Sequence, residues 1–421
     1  MILLTNATVF TGDTWLNGAS VRIEHGRIRE VTNAPVYDFV RSSDVIDCEG
    51  DYLVPGLIDL QLYGGSQLFL NDQPTPATVR HIYETHARNG TTTLLPTIHS
   101  TSLDVMQQAI AAVQTVRAEM PLGVPGIHVE GPYFNPIKRG AHSAAYVRTP
   151  AEGELETLFA TNADVILILT LAPEILTPEQ FQKIVSLKHT NTRLSLGHSN
   201  ATYRQATDAF NSGQVPLATH LYNAMRGFES REPGVVGAVF DHPTVRASII
   251  ADGYHCDPAT IRIAHKLLNG SEDEPGRLFL ISDALFASSP GQPGPRAEFS
   301  LGEFIVHHEP GESTPGESTP GESTPGESTP GESTPGESTP GRYVNNEGKL
   351  AGSALTLLDC VRVCVEKVGL SLTDALQMAT VIPAEVVGLH DQIGRIRPGY
   401  AANVVRLTKS LAVQSVWRSG L

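Results

Sequence analysis

The chain has 421 residues, 40% of them hydrophobic and 18% charged, which is enough apolar content to bury a full core and excludes global disorder. Its 45 acidic and 30 basic residues give a formal charge of −15, which argues against a nucleic-acid backbone as partner, because neutralising phosphates needs clustered Lys and Arg. Four cysteines in this length exclude a disulfide scaffold.

The opening residues, 1–6, carry no basic segment and too few apolar residues for a signal peptide, and no run approaches the ~20 apolar residues of a membrane span. A cytoplasmic protein with no membrane partner is the expectation. Short alternating segments follow at 2–4, 7–10, 20–24 and 44–47, and similar ones recur at 402–407 and 415–418. Period-2 pieces broken by Gly, Asn and Asp predict a small β-sandwich domain assembled from both termini, 1–53 and 391–421.

Between them, 54–390 reads differently. Apolar strand candidates recur at 57–62, 93–97, 126–130, 165–169, 194–198, 217–220, 247–252 and 278–283, mostly separated by segments of helical periodicity. Alternating strand and helix implies right-handed βαβ units around a parallel sheet, and eight of them predict a closed (β/α)8 TIM-like barrel. A doubly wound open sheet is the alternative, disfavoured because no Gly-rich phosphate loop follows the first strand. Cys360 and Cys364, four apart in an apolar helical run, read as core packing. One insertion, at about 310–341, breaks the barrel pattern: Gly-Glu-Ser-Thr-Pro occurs six times across 311–340. Proline at every fifth position forbids a continued helix or strand, so the tract reads as an extended loop expanding a hairpin whose arms are 303–306 and 342–344.

Polar residues fall at the C-terminal ends of the barrel strands, where such barrels assemble their sites. Glu130 ends the third strand, His198 the fifth and His220 the sixth. One carboxylate and two imidazoles suit zinc or a similar divalent ion and leave a position open for water. Asp283, ending the eighth strand, adds a carboxylate able to take that water's proton. His255 and His142 lie in loops on the same face. His81, His86, His265 and the His307-His308 pair read as structural.

Three segments carry a resemblance. Ile127-His128-Val129-Glu130-Gly131-Pro132, Leu196-Gly197-His198-Ser199-Asn200 and Thr219-His220-Leu221-Tyr222-Asn223-Ala224-Met225, the last followed by Arg231-Glu232-Pro233-Gly234, resemble the N-acetylglucosamine-6-phosphate deacetylases of the amidohydrolase superfamily. Ile250 to His255, Ser282-Asp283-Ala284 and Leu350-Ala351-Gly352-Ser353 complete the set in order. The resemblance implies Glu130, His198 and His220 as ligands of one divalent metal, taken as Zn2+, and Asp283 as catalytic acid/base, with His142 assisting at the carbonyl. It implies Asn223, Ala224, Arg231 and His255 at the sugar phosphate, and Ala141, His142, Leu350, Ala351 and Gly352 as further substrate contacts. A guanidinium suits a phosphate monoester.

Where many amidohydrolases carry His-x-His and bind two metals, this chain has Gln61-Leu62-Tyr63, which predicts a single ion. The expected activity is hydrolysis of N-acetyl-D-glucosamine 6-phosphate by a homodimer with its sites near the interface. The alternatives are the N-acetylgalactosamine 6-phosphate epimer, another amidohydrolase acting on a cyclic amide, and a non-catalytic scaffold.

Overall fold

The computed structural model describes residues 1–33, 44–161, 163–270, 276–287, 289, 291–311 and 341–419. The repeat tract from 312 to 340 lies outside the described residues. All eight predicted core strands form and share one sheet: β1 (Leu57–Leu62), β2 (Thr91–His99), β3 (Ile127–Glu130), β4 (Ile166–Leu171), β5 (Arg193–Leu196), β6 (Leu217–Ala218), β7 (Arg246–Ile250) and β8 (Leu278–Ile281). Neighbours pair in chain order and every pairing is parallel. Parallel strands covered on both faces read as unbroken apolar runs, and β1, β2, β4 and β8 are buried at every position.

Closure decides between the two candidate folds. A parallel bridge joins Leu62 to Ala284, the Asp283 N–H donates to the Gln61 carbonyl at 3.0 Å, and the Tyr63 N–H donates to the Ala284 carbonyl at 2.8 Å. The eighth strand therefore meets the first, and the sheet is a barrel rather than an open doubly wound one. The connecting helices start where the sequence supplies caps: Thr75 before α1 (Pro76–Ala87), Ser102 before α2 (Leu103–Glu119), and Thr177 and Thr202 in capping boxes with Gln180 and Gln205. Among the described residues no helix is long and apolar enough to cross a membrane.

The terminal segments meet in one mixed seven-stranded sheet. Its path runs Val413–Trp417, Val404–Leu407, Tyr52–Pro55, Ile2–Phe10, Trp15–Glu24 and Arg27–Thr32, with Val45–Asp47 beside Ile2–Phe10. Leu4, Val9, Val21, Ile28, Leu53 and Val404 fill a core of their own. Pro55 still pairs with Val404, so the sheet reaches past the expected boundary at 53. The chain crosses into the barrel at Gly56, where an added Cβ would lie 1.9 Å from Thr92 Oγ1; only glycine lets the strands approach this closely.

Beyond β8 a four-stranded antiparallel meander (Glu298–Leu301, Phe304–Glu309, Arg342–Asn345, Leu350–Ser353) is bridged to the barrel at Ala284–Ser353. The two arms predicted around the repeat pair in register from Val306–Asn345 to Glu309–Arg342. An aromatic layer including Phe69, Phe286, Phe299, Phe304 and Tyr343 binds this meander over the strand ends. All four cysteines are free and buried, which for Cys360 and Cys364 matches their expected place in the core.

Candidate active site

The side chains that converge at the mouth of the barrel leave their strands in a particular way. Glu130 is the last residue of β3, whereas His198, His220 and Asp283 each lie two residues beyond the last pair of β5, β6 and β8. All three adopt left-handed backbone, with φ of 48°, 37° and 53°. Such a residue costs about 1–3 kcal/mol and persists only where its surroundings fix it. Here the fixing bonds are visible: the His220 N–H donates to Ser248 Oγ at 2.8 Å, Asn135 N–H donates to the His198 carbonyl at 3.0 Å, and Ser353 N–H donates to the Asp283 carbonyl at 3.0 Å.

The result is a tight convergence of donor atoms. His220 Nε2 is 3.1 Å and His198 Nε2 is 3.4 Å from Glu130 Oε1, and the two imidazole nitrogens are 3.0 Å apart. Each ring is oriented from behind: His198 Nδ1 donates to the Lys138 carbonyl at 2.9 Å and His220 Nδ1 to the Asn223 carbonyl at 3.2 Å. Nδ1 being the protonated atom, each Nε2 presents a lone pair. An ion with tetrahedral bonds of about 2.0–2.1 Å separates its ligands by about 3.3 Å, so this donor set fits a small divalent cation.

A second triad overlaps the first, because Glu130, His142 and His198 also lie within 4.8 Å of one another. Hydrogen bonding separates the two. His142 Nδ1 accepts from Ser100 N–H at 3.3 Å and from Ser100 Oγ at 2.7 Å, so its proton is on Nε2, which faces Glu130 Oε2 at 3.6 Å. His142 presents an N–H where His198 and His220 present lone pairs. It is a donor for an oxygen rather than a third imidazole ligand.

Electrostatics follow from this packing. Burial alone would raise the Glu130 pKa, but the imidazoles of His142, His198 and His220 packed around it outweigh burial and hold the carboxyl well below its usual range. Burial would lower His220, yet the Glu130 and Asp283 carboxylates prevail and raise it, while burial dominates at His198, which stays lowered. A cation held by these donors would therefore compete with a proton at His220. Asp283 is pushed up to about 6 by burial first and by the Glu130 charge second, which suits a group that gives and takes protons near neutrality.

These groups line a cavity of about 200 Å³. Of the residues expected at the site, Glu130, Ala141, His142, His198, His220, Asn223, Ala224, His255, Asp283, Leu350 and Ala351 are brought to its wall. His255 Nδ1 donates to Asp252 Oδ2 at 2.6 Å, a pair that is almost wholly buried. Two expected residues are not on the wall. Arg231 is exposed on the loop ahead of Gly234–Asp241, and Gly352 is buried behind the wall, where an added Cβ would meet Leu285 Cγ at 2.6 Å. Four lining residues, Tyr63, His99, Gly140 and Ile250, were not among the expected site residues. His99 ends β2 as Glu130 ends β3, so the strand-end rule could have found it; its ring stacks on His142 at 3.4 Å.

The family model described as "Amidohydrolase family" matches residues 52–284 and 342–421. An N-acetylgalactosamine-6-phosphate deacetylase of Shewanella sp. (strain ANA-3) is 32% identical over 421 residues, covering 100% of this chain and 95% of the relative. An N-acetylglucosamine-6-phosphate deacetylase of Haemophilus influenzae is 30% identical, covering 97% of this chain and 96% of that protein. The crystal structure of the N-acetylglucosamine-6-phosphate deacetylase from Pasteurella multocida superimposes with a TM-score of 0.82 at 29% identity, over 100% of this chain and 98% of that one. The chain belongs to the amidohydrolase family.

Proposed function

We propose that this chain hydrolyses the acetamide of N-acetyl-D-glucosamine 6-phosphate, giving D-glucosamine 6-phosphate and acetate. The observation that carries the reading is the convergence of the Glu130, His198 and His220 donor atoms, 3.0 to 3.4 Å apart, beside the buried Asp283 carboxyl. Those three residues would hold one divalent ion, and the mixed carboxylate–imidazole set favours zinc. Such an ion supplies Lewis acidity, acidifying water and polarising a carbonyl.

The chain's own residues do the rest. Asp283 accepts the proton of the attacking water at its carboxylate and returns it to the leaving amine nitrogen. His142 Nε2–H donates to the acetyl oxygen as negative charge develops there, and its Ser100 partners hold that proton on the correct nitrogen. His255, paired with Asp252, offers a cation to the 6-phosphate, and Asn223 and Ala224 flank it. Ala141, Leu350 and Ala351 supply the apolar walls against the sugar. Phosphate binding far from the reacting bond positions the acetamide over Asp283. Arg231 and Gly352 lie off the cavity wall of a single chain; in this reading Arg231 acts at the mouth, within a cytoplasmic homodimer.

The N-acetylgalactosamine 6-phosphate epimer is the second reading, favoured by the names of the relatives from Shewanella and from Escherichia coli O157:H7, the latter 30% identical. Acetate release from both phosphorylated sugars and from unphosphorylated N-acetylglucosamine, with elemental analysis of the same sample, tests the reading. It expects one zinc per chain, the highest kcat/KM with the glucosamine epimer, and little turnover without phosphate. Absence of acetate release from either phosphorylated sugar refutes it, and a higher kcat/KM for the galactosamine epimer transfers the assignment to that sugar.

A further inference from the structure

The two carboxylates at the centre of the site, Glu130 and Asp283, are both almost wholly buried. Like charges that close in a poorly solvated site repel strongly, so something must hold them together. Many metallohydrolases use a second cation for this, bound through histidines from the first strand. Here the first strand runs into Gln61 and Tyr63 instead, and their atoms fill the gap between the carboxylates. The Gln61 amide nitrogen lies 2.9 Å from Glu130 Oε1, 2.9 Å from Asp283 Oδ1 and 2.9 Å from the Tyr63 hydroxyl. The Tyr63 hydroxyl lies 2.5 Å from Glu130 Oε2 and 3.2 Å from Asp283 Oδ1.

We propose that Tyr63 is a positioning residue whose phenolic oxygen, working with the Gln61 amide, bridges Glu130 and Asp283 with neutral hydrogen-bond donors and fills the space a second divalent ion would need. The argument is one of proton count. Gln61 has two N–H protons, one each for Glu130 Oε1 and Asp283 Oδ1, Tyr63 has one O–H, which goes to the nearer carboxylate oxygen, Glu130 Oε2, and the carboxylates offer only lone pairs. The amide must turn its nitrogen toward them, because the flipped form would set its oxygen against two carboxylate oxygens. Both residues therefore present protons to the gap where a cation needs lone pairs. The tyrosine ring is fixed independently of its hydroxyl: it is 4% exposed and packs in the aromatic layer, 6.4 Å from Phe69 and edge-on to His99 at 5.8 Å. Anchored at the ring, the hydroxyl holds Glu130 Oε2 while the Gln61 amide holds Asp283 Oδ1.

The kinetic half of this inference rests on the deacetylase reading, so the test pairs it with an ion count that needs no substrate. Metal-free full-length protein is titrated with zinc in three forms: wild type, Tyr63→Phe, and the double variant Gln61→His/Tyr63→His. One ion per chain is expected for the wild type and for Tyr63→Phe, and two for the double variant. Tyr63→Phe keeps the ring and loses only the bridging O–H. Its kcat should fall about 10- to 100-fold, with KM within about two-fold and thermal stability unchanged, a split that a purely structural residue would not produce. Two ions in the wild type, or one in the double variant, overturns the exclusion of a second cation. A kcat within two-fold of wild type, or a loss of kcat accompanied by loss of zinc or of stability, overturns the positioning role. Should the wild type release no acetate at all, the deacetylase reading fails and the ion count still decides the bridge.

Discussion

Replacing Asp252 with Asn separates the charge at that position from its shape. Asp252 Oδ1 accepts from the backbone N–H of Tyr254 at 2.9 Å and of His255 at 2.8 Å, while Oδ2 accepts from His255 Nδ1 at 2.6 Å. Asparagine keeps an oxygen for the two backbone donors, so the loop keeps its course and only the carboxylate charge is lost. Burial would lower the pKa of His255, but the Asp252 carboxylate outweighs that and raises it. A raised value means that the cation, and on the proposed reading the phosphate affinity it would confer, are full below the ordinary imidazole value of about 6.5 and are lost as pH rises through the higher one. In Asp252→Asn burial prevails and the His255 pKa falls, so the pH at which the cation is lost should move down. Losing one charge-assisted hydrogen bond is worth about 1.5–3 kcal/mol, or roughly 10- to 150-fold in KM. The assay is KM and kcat across pH 5.5–8.5 for the phosphorylated sugar and its unphosphorylated counterpart. A wild-type KM at pH 7.5, or an equal loss with the unphosphorylated sugar, refutes the reasoning.

Asp283→Asn retains an oxygen for the Gln61 and Tyr63 donors but no longer accepts the water's proton. Turnover should fall about 10²- to 10⁴-fold with zinc content intact, and near-normal kcat refutes the assignment. Dialysis against a chelator should abolish acetate release without unfolding the chain. Restoring zinc at 100 times its Kd should add about 2.7 kcal/mol of stability, read as a rise in Tm, whereas full turnover in metal-free protein excludes the metal reading. Replacing 310–341 with Asn-Gly rejoins the paired Glu309 and Arg342, already linked by a 2.9 Å ion pair, through a favoured two-residue turn. Tm within about 1 °C and kcat/KM within about two-fold are expected, and insoluble protein contradicts this.

The barrel was legible because its strands are apolar on both faces and because polar residues recur where those strands end. The strand ends themselves were not. Strands expected to run to His198, His220 and Asp283 stop earlier, at Leu196, Ala218 and Ile281, because each chemical residue has turned into left-handed backbone, a conformation that bulky L residues reveal in no sequence pattern. The division of labour among the histidines was also hidden. His142, His198 and His220 are the same residue type on the same rim, and only the atom behind each ring, a carbonyl or a backbone N–H, decides which presents a lone pair and which a proton. Arg231, expected from a motif, is absent from the cavity wall, whereas His99, which belongs to no motif, is on it. Motifs identify relatives; the wall is set by which loops fold over it.

Strain and closure are linked in this barrel. Left-handed residues at the site, His198, His220, Tyr222, Ala224 and Asp283, at about 1–3 kcal/mol each, are a large load against the roughly 5–15 kcal/mol that separate a typical fold from its unfolded chain, so their support must be local. Part of it lies beneath the site, where His128 Nε2 meets Thr170 Oγ1 at 2.7 Å, Thr170 meets Thr219 at 2.8 Å and Thr219 meets Ser195 at 2.6 Å. That chain ties together β3 to β5 and the residue before His220. The rest lies at the seam where β8 meets β1, whose closing bonds involve Gln61, Tyr63 and Asp283 themselves. A barrel that failed to close would release Asp283 from Glu130. The bonds that complete the fold are thus the bonds that align Asp283 with the Glu130, His198 and His220 donor atoms.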